Sequence, residues 1–332
     1  MCLQESEVDN STLRSYIYKL SQFLSYLDTC SKTHGIDMHN SSACTEKFVN
    51  HYLNDVLTKR LKSFSSLPTH LSALSSYFNW LTYFGFTPYT HLKILRKTRQ
   101  RVAENSDRQH YIKYLSREGR LRLLNACETL GEKLMMRMGC EVGLRTSELI
   151  GLKVEGKDKL GKLFANLDDY GCEHVEQFKF FLDGRYTKGG KSRWIYFSRA
   201  LLRDMKRYFD SERKSVLQRT KKESDSFFLL THNEFAGEPI GIEQATRIFS
   251  RRAKEAGLNP LLRFHDLRHT FATELYHEEV VGPFGRETRS ESAALLVVAQ
   301  RLGHSLTRSG QVSASTTRYV RMRQEMLQLE RG

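Results

Sequence analysis

Apolar residues up to Gly85 recur at helical spacing. Ser11 is a candidate N-cap, and the apolar positions after it alternate in a way that predicts one face of an amphipathic helix. These positions are Leu13, Ile17, Leu20, Leu24 and Leu27. Two further helices are predicted at 46–59 and 69–84, and Gly85 is suited to end the second. Their predicted inner positions are Val49, Leu53, Val56, Leu71, Leu74, Phe78 and Leu81. The pattern predicts a small all-α unit.

The pattern changes between residues 155 and 197, where glycines interrupt it. The segments QFKFFLDG and SRWIYF predict two strands on either side of the turn TKGGK. Elsewhere in the second half helical spacing dominates, and one short strand is predicted at 227–230. The predicted helices are 116–130, 132–142, one that starts at Ser198, 242–256, 265–277, 291–302 and 313–329. The predicted fold is mainly α with a small antiparallel β-sheet, in two domains.

Composition indicates the kind of partner. Lysine and arginine outnumber aspartate and glutamate by 52 to 38, and the formal net charge is +14. This charge favours a polyanion, with nucleic acid as the first candidate and an acidic membrane surface as the second. The six cysteines form no CxxC pair, so neither a zinc ribbon nor a disulfide framework is predicted. The longest apolar run, 293–299, is too short to span a bilayer, and the N-terminus lacks a signal-peptide core. We therefore expect a soluble, cytoplasmic protein with no membrane partner.

The segment HLKILRKTRQR concentrates positive charge between the two halves. We interpret 93–110 as an interdomain linker, which makes 1–92 and 111–332 the two domains. Two interpretations of its charge stay open: a solvated basic surface, or a strap that binds the phosphate backbone and releases condensed counterions. The candidate backbone-binding residues are Lys93, Arg96, Lys97, Arg99 and Arg101.

Four short segments of the second half carry side chains suited to phosphodiester chemistry. They are GLRTSEL, YTKGGKSRW, FHDLRHTFATEL, and RLGH followed by TTRYV. Taken singly, each has a plainer interpretation as a cap, a solvated turn or a packed helix. Their order and their residue types together are much more specific. The candidate catalytic residues are Arg145, Lys188, His265, Arg268, His304 and Tyr319.

The arginines and the lysine match the charges that phosphoryl transfer creates. Transfer to a side chain adds negative charge to the non-bridging oxygens, and two fork-shaped guanidinium groups suit these oxygens better than ammonium groups do. Arg145 and Arg268 can supply them. The leaving 5′-oxygen needs a proton, which a lysine in a hairpin turn can donate if nearby cations lower its pKa. Lys188 fits this role, and Lys191 is a close competitor in the same turn.

The remaining candidates match the needs of a covalent intermediate. Rejoining without ATP requires a nucleophile that conserves the energy of the phosphodiester bond. A phenol does so, provided that its proton is accepted and its oxygen is held in line. Tyr319 is the candidate nucleophile, with His265 as acid/base and His304 as a donor to a phosphate oxygen.

In this order, the segments resemble the sequence boxes of the tyrosine recombinases, the family of phage integrases and of Xer-type or Cre-type site-specific recombinases. More loosely, HLSALSSYFNWLTYFG is similar to the SAM-like, helical core-binding domain that precedes such catalytic domains. The resemblance implies that the six candidates surround the scissile phosphate. It implies that Tyr319 attacks to leave a 3′-phosphotyrosyl link and a free 5′-hydroxyl, with no metal, nucleotide or other cofactor. It also implies a two-domain clamp on duplex DNA, closed by the basic linker.

The same resemblance implies the partners and the biological role. Four protomers would synapse two duplexes that carry inverted-repeat core sites, as a homotetramer that exchanges strands in pairs. DNA-bending accessory proteins are further candidate partners. The expected role is the integration, excision or resolution of a mobile element.

Three segments depart from the compact form of the family. They are 155–187, 279–292 and 305–316, and each is longer than that form has. The second is a candidate surface loop for contact with a neighbouring protomer. The third must still allow Tyr319 to reach the phosphate. These departures make the assignments of Lys188 and Tyr319 depend on how the flanking segments fold.

Alternatives remain for the site and for the function. His265 and His269 are four residues apart, a spacing of two metal ligands, and His304 would complete a zinc site. The segment HDLRH lacks the glutamate of a zinc protease motif, and Arg268 would repel a dication. A DNA-binding accessory factor on the same fold would have no chemical need for all six candidates. A type IB topoisomerase shares the chemistry, but the strings FHDLRHTFATEL and LGH favour the recombinases.

Overall fold

The computed structural model describes residues 10–34, 44–61, 66–88, 90–104, 113–155, 159–187, 190–282, 285–307 and 310–329. Two compact units make up the chain, Met1–His110 and Tyr111–Gly332. Over the described ranges, no helix is long and apolar enough to cross a membrane. The predicted class is confirmed: the fold is mainly α-helical, with one small antiparallel sheet.

Helices make up most of the described segments of the first unit. Its helices are α1 (Asn10–His34), α2 (Glu46–His51), α3 (Leu57–Arg60), α4 (Leu67–Tyr83) and α5 (Arg96–Glu104). A π-helical turn, Tyr52–Val56, joins α2 to α3, so helical backbone runs through most of the predicted 46–59 segment. Thr45 caps α2 by accepting a hydrogen bond from the backbone N–H of Phe48.

The buried face of α1 differs from the predicted one. Phe23 and Leu27 are buried, and the ring of Phe23 contacts the rings of Tyr52 and Phe78 at centroid distances of 5.0 and 6.0 Å. Ile17 and Leu24, both predicted to lie inward, are 54% and 41% exposed. The prediction was wrong for these two positions because the aromatic contacts of Phe23 turn that edge of the apolar stripe away from the core.

The basic segment between the halves is partly helical and belongs to the first unit. The buried side chain of Asn54 accepts hydrogen bonds from the Leu95 N–H at 2.8 Å and the Thr98 hydroxyl at 2.7 Å, and donates to the Lys93 carbonyl at 2.9 Å. Val102 is fully buried on the same helix. The stretch predicted as a linker is therefore helical from Arg96 to Glu104 and is anchored to the first unit. Its five candidate phosphate-binding cations are all exposed, namely Lys93, Arg96, Lys97, Arg99 and Arg101.

The second unit holds the hairpin and ten further helices among its described residues. The helices are α6 (Arg117–Asn125), α7 (Leu130–Arg137), α8 (Thr146–Ile150), α9 (Leu160–Leu167), α10 (Arg199–Tyr208), α11 (Lys214–Thr220), α12 (Ile242–Glu255), α13 (Phe264–Val280), α14 (Glu291–Leu302) and α15 (Ala314–Leu329). Two π-helical turns, Met138–Val142 and Phe209–Arg213, extend α7 and join α10 to α11. Helices α8 and α9 were not predicted. The strand predicted at 227–230 is reduced to isolated bridges, Lys153 with Ser226 and Leu229 with Pro239.

The hairpin consists of β1 (Gln177–Leu182) and β2 (Arg193–Ser198), paired antiparallel as the sequence predicted. Burial alternates along both strands, so one face packs on the core and the other faces outward. Arg193 occupies an inward position at the start of β2, opposite Leu182. A charged side chain in this place requires a buried counter-charge.

Helix α13 lies at the centre of the unit and is buried on most of its surface. Phe264 and Leu267 belong to the main apolar core with the hairpin and α7. Further along the helix, Leu275 and Tyr276 join a second apolar cluster with α14 and α15. The segment FHDLRHTFATEL therefore sits between two cores, which fixes the positions of its polar side chains.

Two of the three long segments contain an isolated antiparallel bridge. Val281 bridges to Glu287 within 279–292, and Leu306 bridges to Val312 within 305–316. The contact between His304 Nδ1 and Thr316 Oγ1, at 2.8 Å, brings the start of α15 close to the residues that follow α14.

Candidate active site

One buried carboxylate gathers three guanidinium groups. Glu148 lies in α8, fully buried, three residues after Arg145. Its Oε1 accepts from Arg145 Nη1 at 2.7 Å and from Arg193 Nη1 at 2.6 Å. Its Oε2 accepts from Arg193 Nη2 at 2.7 Å and lies 3.5 Å from Arg268 Nη1. A single negative charge holds three positive ones, which leaves two positive charges uncompensated in this arginine cluster.

The backbone around α8 explains why Glu148 sits there. Its Oε2 also accepts from the backbone N–H of Arg145 at 2.8 Å, which is the glutamate half of a capping box. Burial opposes ionisation of Glu148, but the hydrogen bonds and charge of Arg193, with the charge of Arg268, lower its pKa to about 2. The carboxylate is therefore ionised at neutral pH and keeps the cluster together.

Arg268 is the most deeply buried of the three arginines in the cluster. Its side chain is 1% exposed, and it donates to the carbonyl oxygens of Gly143 and Leu302, both at 2.5 Å. Burial, followed by the charge of Arg145, lowers its pKa to about 9, so it stays cationic at neutral pH. Arg145 is more open, with 20% of its side chain exposed. The two predicted arginines are thus brought together, one as a fixed charge and one nearer the surface.

The two predicted histidines lie beside these cations. His265 is exposed one turn before Arg268 on α13. His304 follows Gly303, and its Nδ1 lies 2.8 Å from the buried hydroxyl of Thr316. Partial removal from water and the charges of Arg268 and Arg145 lower the pKa of each histidine to about 4. Both imidazoles are therefore neutral at pH 7.

Tyr319 lies in α15 and is 1% exposed. Its Oη is 3.2 Å from Nδ1 of His269, which is itself buried. Its ring stacks over that of His304 at a centroid distance of 6.5 Å. Burial raises the pKa of the Tyr319 phenol, while the positive charges of Arg268, Arg318 and Arg145 act to lower it. The phenol is thus within the field of the arginine cluster, but it is covered and hydrogen-bonded in this state.

The structure describes only one of the two lysine candidates. Lys188 lies outside the described residues. Lys191, in the same turn, is exposed, and its Nζ donates to Ser305 Oγ at 2.7 Å, next to His304. Lys191 is therefore close to the residues that follow α14.

Sequence reasoning missed Glu148 and Arg193, which tie the cluster together. The spacing of Arg145 and Glu148 in GLRTSEL was a readable capping signal. Arg193 gave no local signal, because its partner is 45 residues away in the chain. His269, named from the sequence as a possible zinc ligand, instead contacts the candidate nucleophile Tyr319. Among the residues that the structure describes, no group of three or more His, Cys, Asp or Glu is arranged to hold a metal ion.

The sequence and the fold have known relatives. Residues 113–282, just over half of the chain, match the profile of the Phage integrase family. The chain is 24% identical to the tyrosine recombinase XerD of Listeria innocua over 95% of its own length and 91% of that protein. It is 25% identical to the tyrosine recombinase XerA of Pyrococcus horikoshii, over 60% of this chain and 56% of the length of XerA.

Solved structures share the fold. A lambda integrase tetramer bound to a Holliday junction aligns over 96% of this chain and 73% of its own, with a TM-score of 0.57 and 16% identity. The fold is therefore that of the two-domain integrases. The chain belongs to the Phage integrase family, the tyrosine recombinases, and the function that this membership supports is site-specific DNA recombination.

Proposed function

We propose that this chain cleaves and rejoins duplex DNA through a 3′-phosphotyrosyl link at Tyr319, without a metal or nucleotide cofactor. The same proposal takes inverted-repeat core sites as its substrate and a homotetramer on synapsed DNA as its working form. Integration, excision or resolution of a mobile element is the role it would serve in the cytoplasm. DNA-bending accessory proteins are candidate partners.

The observation that carries the proposal is the arginine cluster around Glu148. A surface that only bound DNA would use solvated cations, because exposed lysines and arginines already supply affinity through counterion release. Here three guanidinium groups are drawn towards one carboxylate with charge left over, an arrangement that is costly to build without an anion to receive. The family acts on DNA, whose scissile phosphate gains negative charge in the transition state. This phosphate is the anion that the arginine cluster would bind.

Each candidate then has a role in the reaction. Arg145 and Arg268 bind the non-bridging oxygens as charge builds on them. Neutral His265 accepts the proton of the phenol. If Thr316 donates to Nδ1 of His304, then Nε2–H of that ring is left to donate to a phosphate oxygen. A lysine of the hairpin turn, Lys188 or Lys191, protonates the leaving 5′-oxygen.

The buried state of Tyr319 adds a requirement to the mechanism. Because Tyr319 is 1% exposed, a scissile phosphate reaches its Oη only if DNA binding moves the side chain, α15 or the turn before it. The bridge between Leu306 and Val312 lies within the segment that would move. Cleavage is thus coupled to the arrival of substrate.

The test is a suicide substrate: duplex DNA that carries the recombination site, nicked beside the cut so that the short 5′-hydroxyl fragment diffuses away. The natural chain should accumulate a covalent protein–DNA complex that resists denaturant, and Tyr319→Phe should form none. A DNA-binding accessory factor would give no covalent complex from either chain. A topoisomerase would relax plasmids that lack the site, and that outcome would contradict site-specific recombination.

A further inference from the structure

A groove runs along the outer face of the hairpin and ends in the candidate active site. It is a cavity of about 540 Å³ between β1, β2 and α14. Its lining includes Lys179, Lys191, Trp194, Tyr196, Arg301 and His304. All of its lining lies in the described part of the chain and contains no aspartate or glutamate. The charge of the groove therefore suits an anionic occupant.

Exposed aromatic side chains form the floor of this groove and its margin. Trp194 is 46% exposed and its neighbour Phe181 is 38% exposed, with ring centroids 5.0 Å apart. Both lie on outward positions of paired strands, Phe181 opposite Trp194. Paired exposed rings on an outer strand face mark a contact surface, because apolar area of this kind is unfavourable in water.

A cation lies over each of two aromatic rings that line the groove. Lys179 Nζ lies 4.1 Å from the centroid of Trp194, and the guanidinium carbon of Arg301 lies 3.9 Å from the centroid of Tyr196. Rings interleaved with cations are the arrangement with which proteins bind single-stranded nucleic acid, since every base has a face to stack and every nucleotide has a phosphate. A paired duplex offers phosphates but no free base faces.

We propose that this groove binds unpaired nucleotides of the strand next to the cut, with a base stacked on Trp194 and phosphates held by Lys179 and Lys191. This inference rests on the proposed function, because the proposed reaction cuts one DNA strand at the active site where the groove ends. The groove ends at His304 and Lys191, both candidates for contact with the scissile phosphate. Nucleotides that lose their base-pairing partners during strand exchange would therefore bind in the groove of the protomer whose active site they adjoin.

The first experiment uses Trp194 as a reporter. The chain has two tryptophans, so Trp80→Phe leaves Trp194 alone, and adding Tyr319→Phe removes cleavage from the measurement. This double variant is titrated with a thymidine oligonucleotide of about 10 residues and with the matching duplex. Quenching of Trp194 fluorescence by the single strand, at concentrations where the duplex leaves it unchanged, is the expected result.

A second experiment measures affinity in the chain with both natural tryptophans, by anisotropy of a labelled single strand. Trp194→Ala should weaken binding about 5- to 150-fold, the range that stacking on one aromatic ring spans. Trp194→Phe should retain most of the affinity. The matched control is Phe235→Ala, which removes a ring that is 51% exposed elsewhere in the same unit and should change nothing.

Three results would overturn the proposal. They are the absence of quenching by the single strand, equal quenching by duplex and single strand, and quenching that follows protein concentration without DNA. The last result would identify a second copy of the chain as the occupant. Failure of the proposed function has a different signature: single-strand quenching persists while the natural chain forms no covalent complex.

Discussion

We expect the Arg268→Ala chain to form the covalent complex about 10³-fold more slowly than the natural chain, with little change in affinity for duplex DNA. Arg268 is held in place by two backbone carbonyls and is within reach of Glu148, so its charge is fixed before substrate arrives. A preorganised charge of this kind stabilises the transition state without reorganisation. Affinity should persist because other, exposed lysines and arginines supply the counterion release.

The matched control for this variant is Arg252→Ala. Arg252 is also 1% exposed and is paired with carboxylates, Glu128, Glu132 and Glu255, so its loss also leaves buried charge unpaired. Rates are measured under single-turnover conditions and divided by the fraction of folded protein. We expect Arg252→Ala to cleave at nearly the natural rate per folded molecule. An equal loss of cleavage rate in the two variants would mean that Arg268 has only a structural role.

Replacing Glu148 with glutamine should lower the free energy of unfolding of the second unit by about 3–5 kcal/mol. The substitution keeps the shape of the side chain but removes the one negative charge among three guanidinium groups. Its amide nitrogen would also face an N–H group of Arg193 or Arg145. Denaturant unfolding followed by Trp194 fluorescence, in the Trp80→Phe background, reports on this unit alone.

The same carboxylate gives the pH dependence a definite sign. The pKa of Glu148 is about 2 in the folded state, below its ordinary value of 4.5. Its contribution is therefore fully present above about pH 4.5 and is lost as pH falls towards 2, by roughly 3 kcal/mol. Glu148→Gln should lack this part of the acid destabilisation. The control is Glu118→Gln, an exposed partner of Arg122, expected to change stability by less than about 1 kcal/mol. Equal stabilities of the two variants at pH 7 would contradict the role of Glu148.

Local signals in the chain were sufficient to predict the positions of most elements around the site. The helix α14 begins and ends where the sequence placed it, because Ser290 caps its first turn and Gly303 takes a left-handed backbone conformation, φ +66°, at its end. The strand alternation in QFKFFL and RWIYFS likewise fixes which side chains face the core. Both kinds of signal act within a few residues.

What the sequence did not predict depends on contacts between distant residues. Ile17 and Leu24 share an apolar stripe with buried residues, and only the packing of Phe23 decides which edge is covered. The hydrogen bond from Tyr319 to His269 joins residues 50 apart, so no local pattern could show that the phenol is covered. The clamp on DNA, the strap role of the basic segment and the roles of the six candidates stay predictions.

The side chain that becomes covalently linked to DNA identifies the nucleophile directly. The trapped complex can be digested with nuclease and trypsin, and the peptide 319–321, YVR, examined by mass spectrometry for a residual nucleotide. We predict a 3′-nucleotide on the phenolic oxygen of Tyr319. A nucleotide on any other residue, or a trapped complex of the same yield from Tyr319→Phe, would contradict the account.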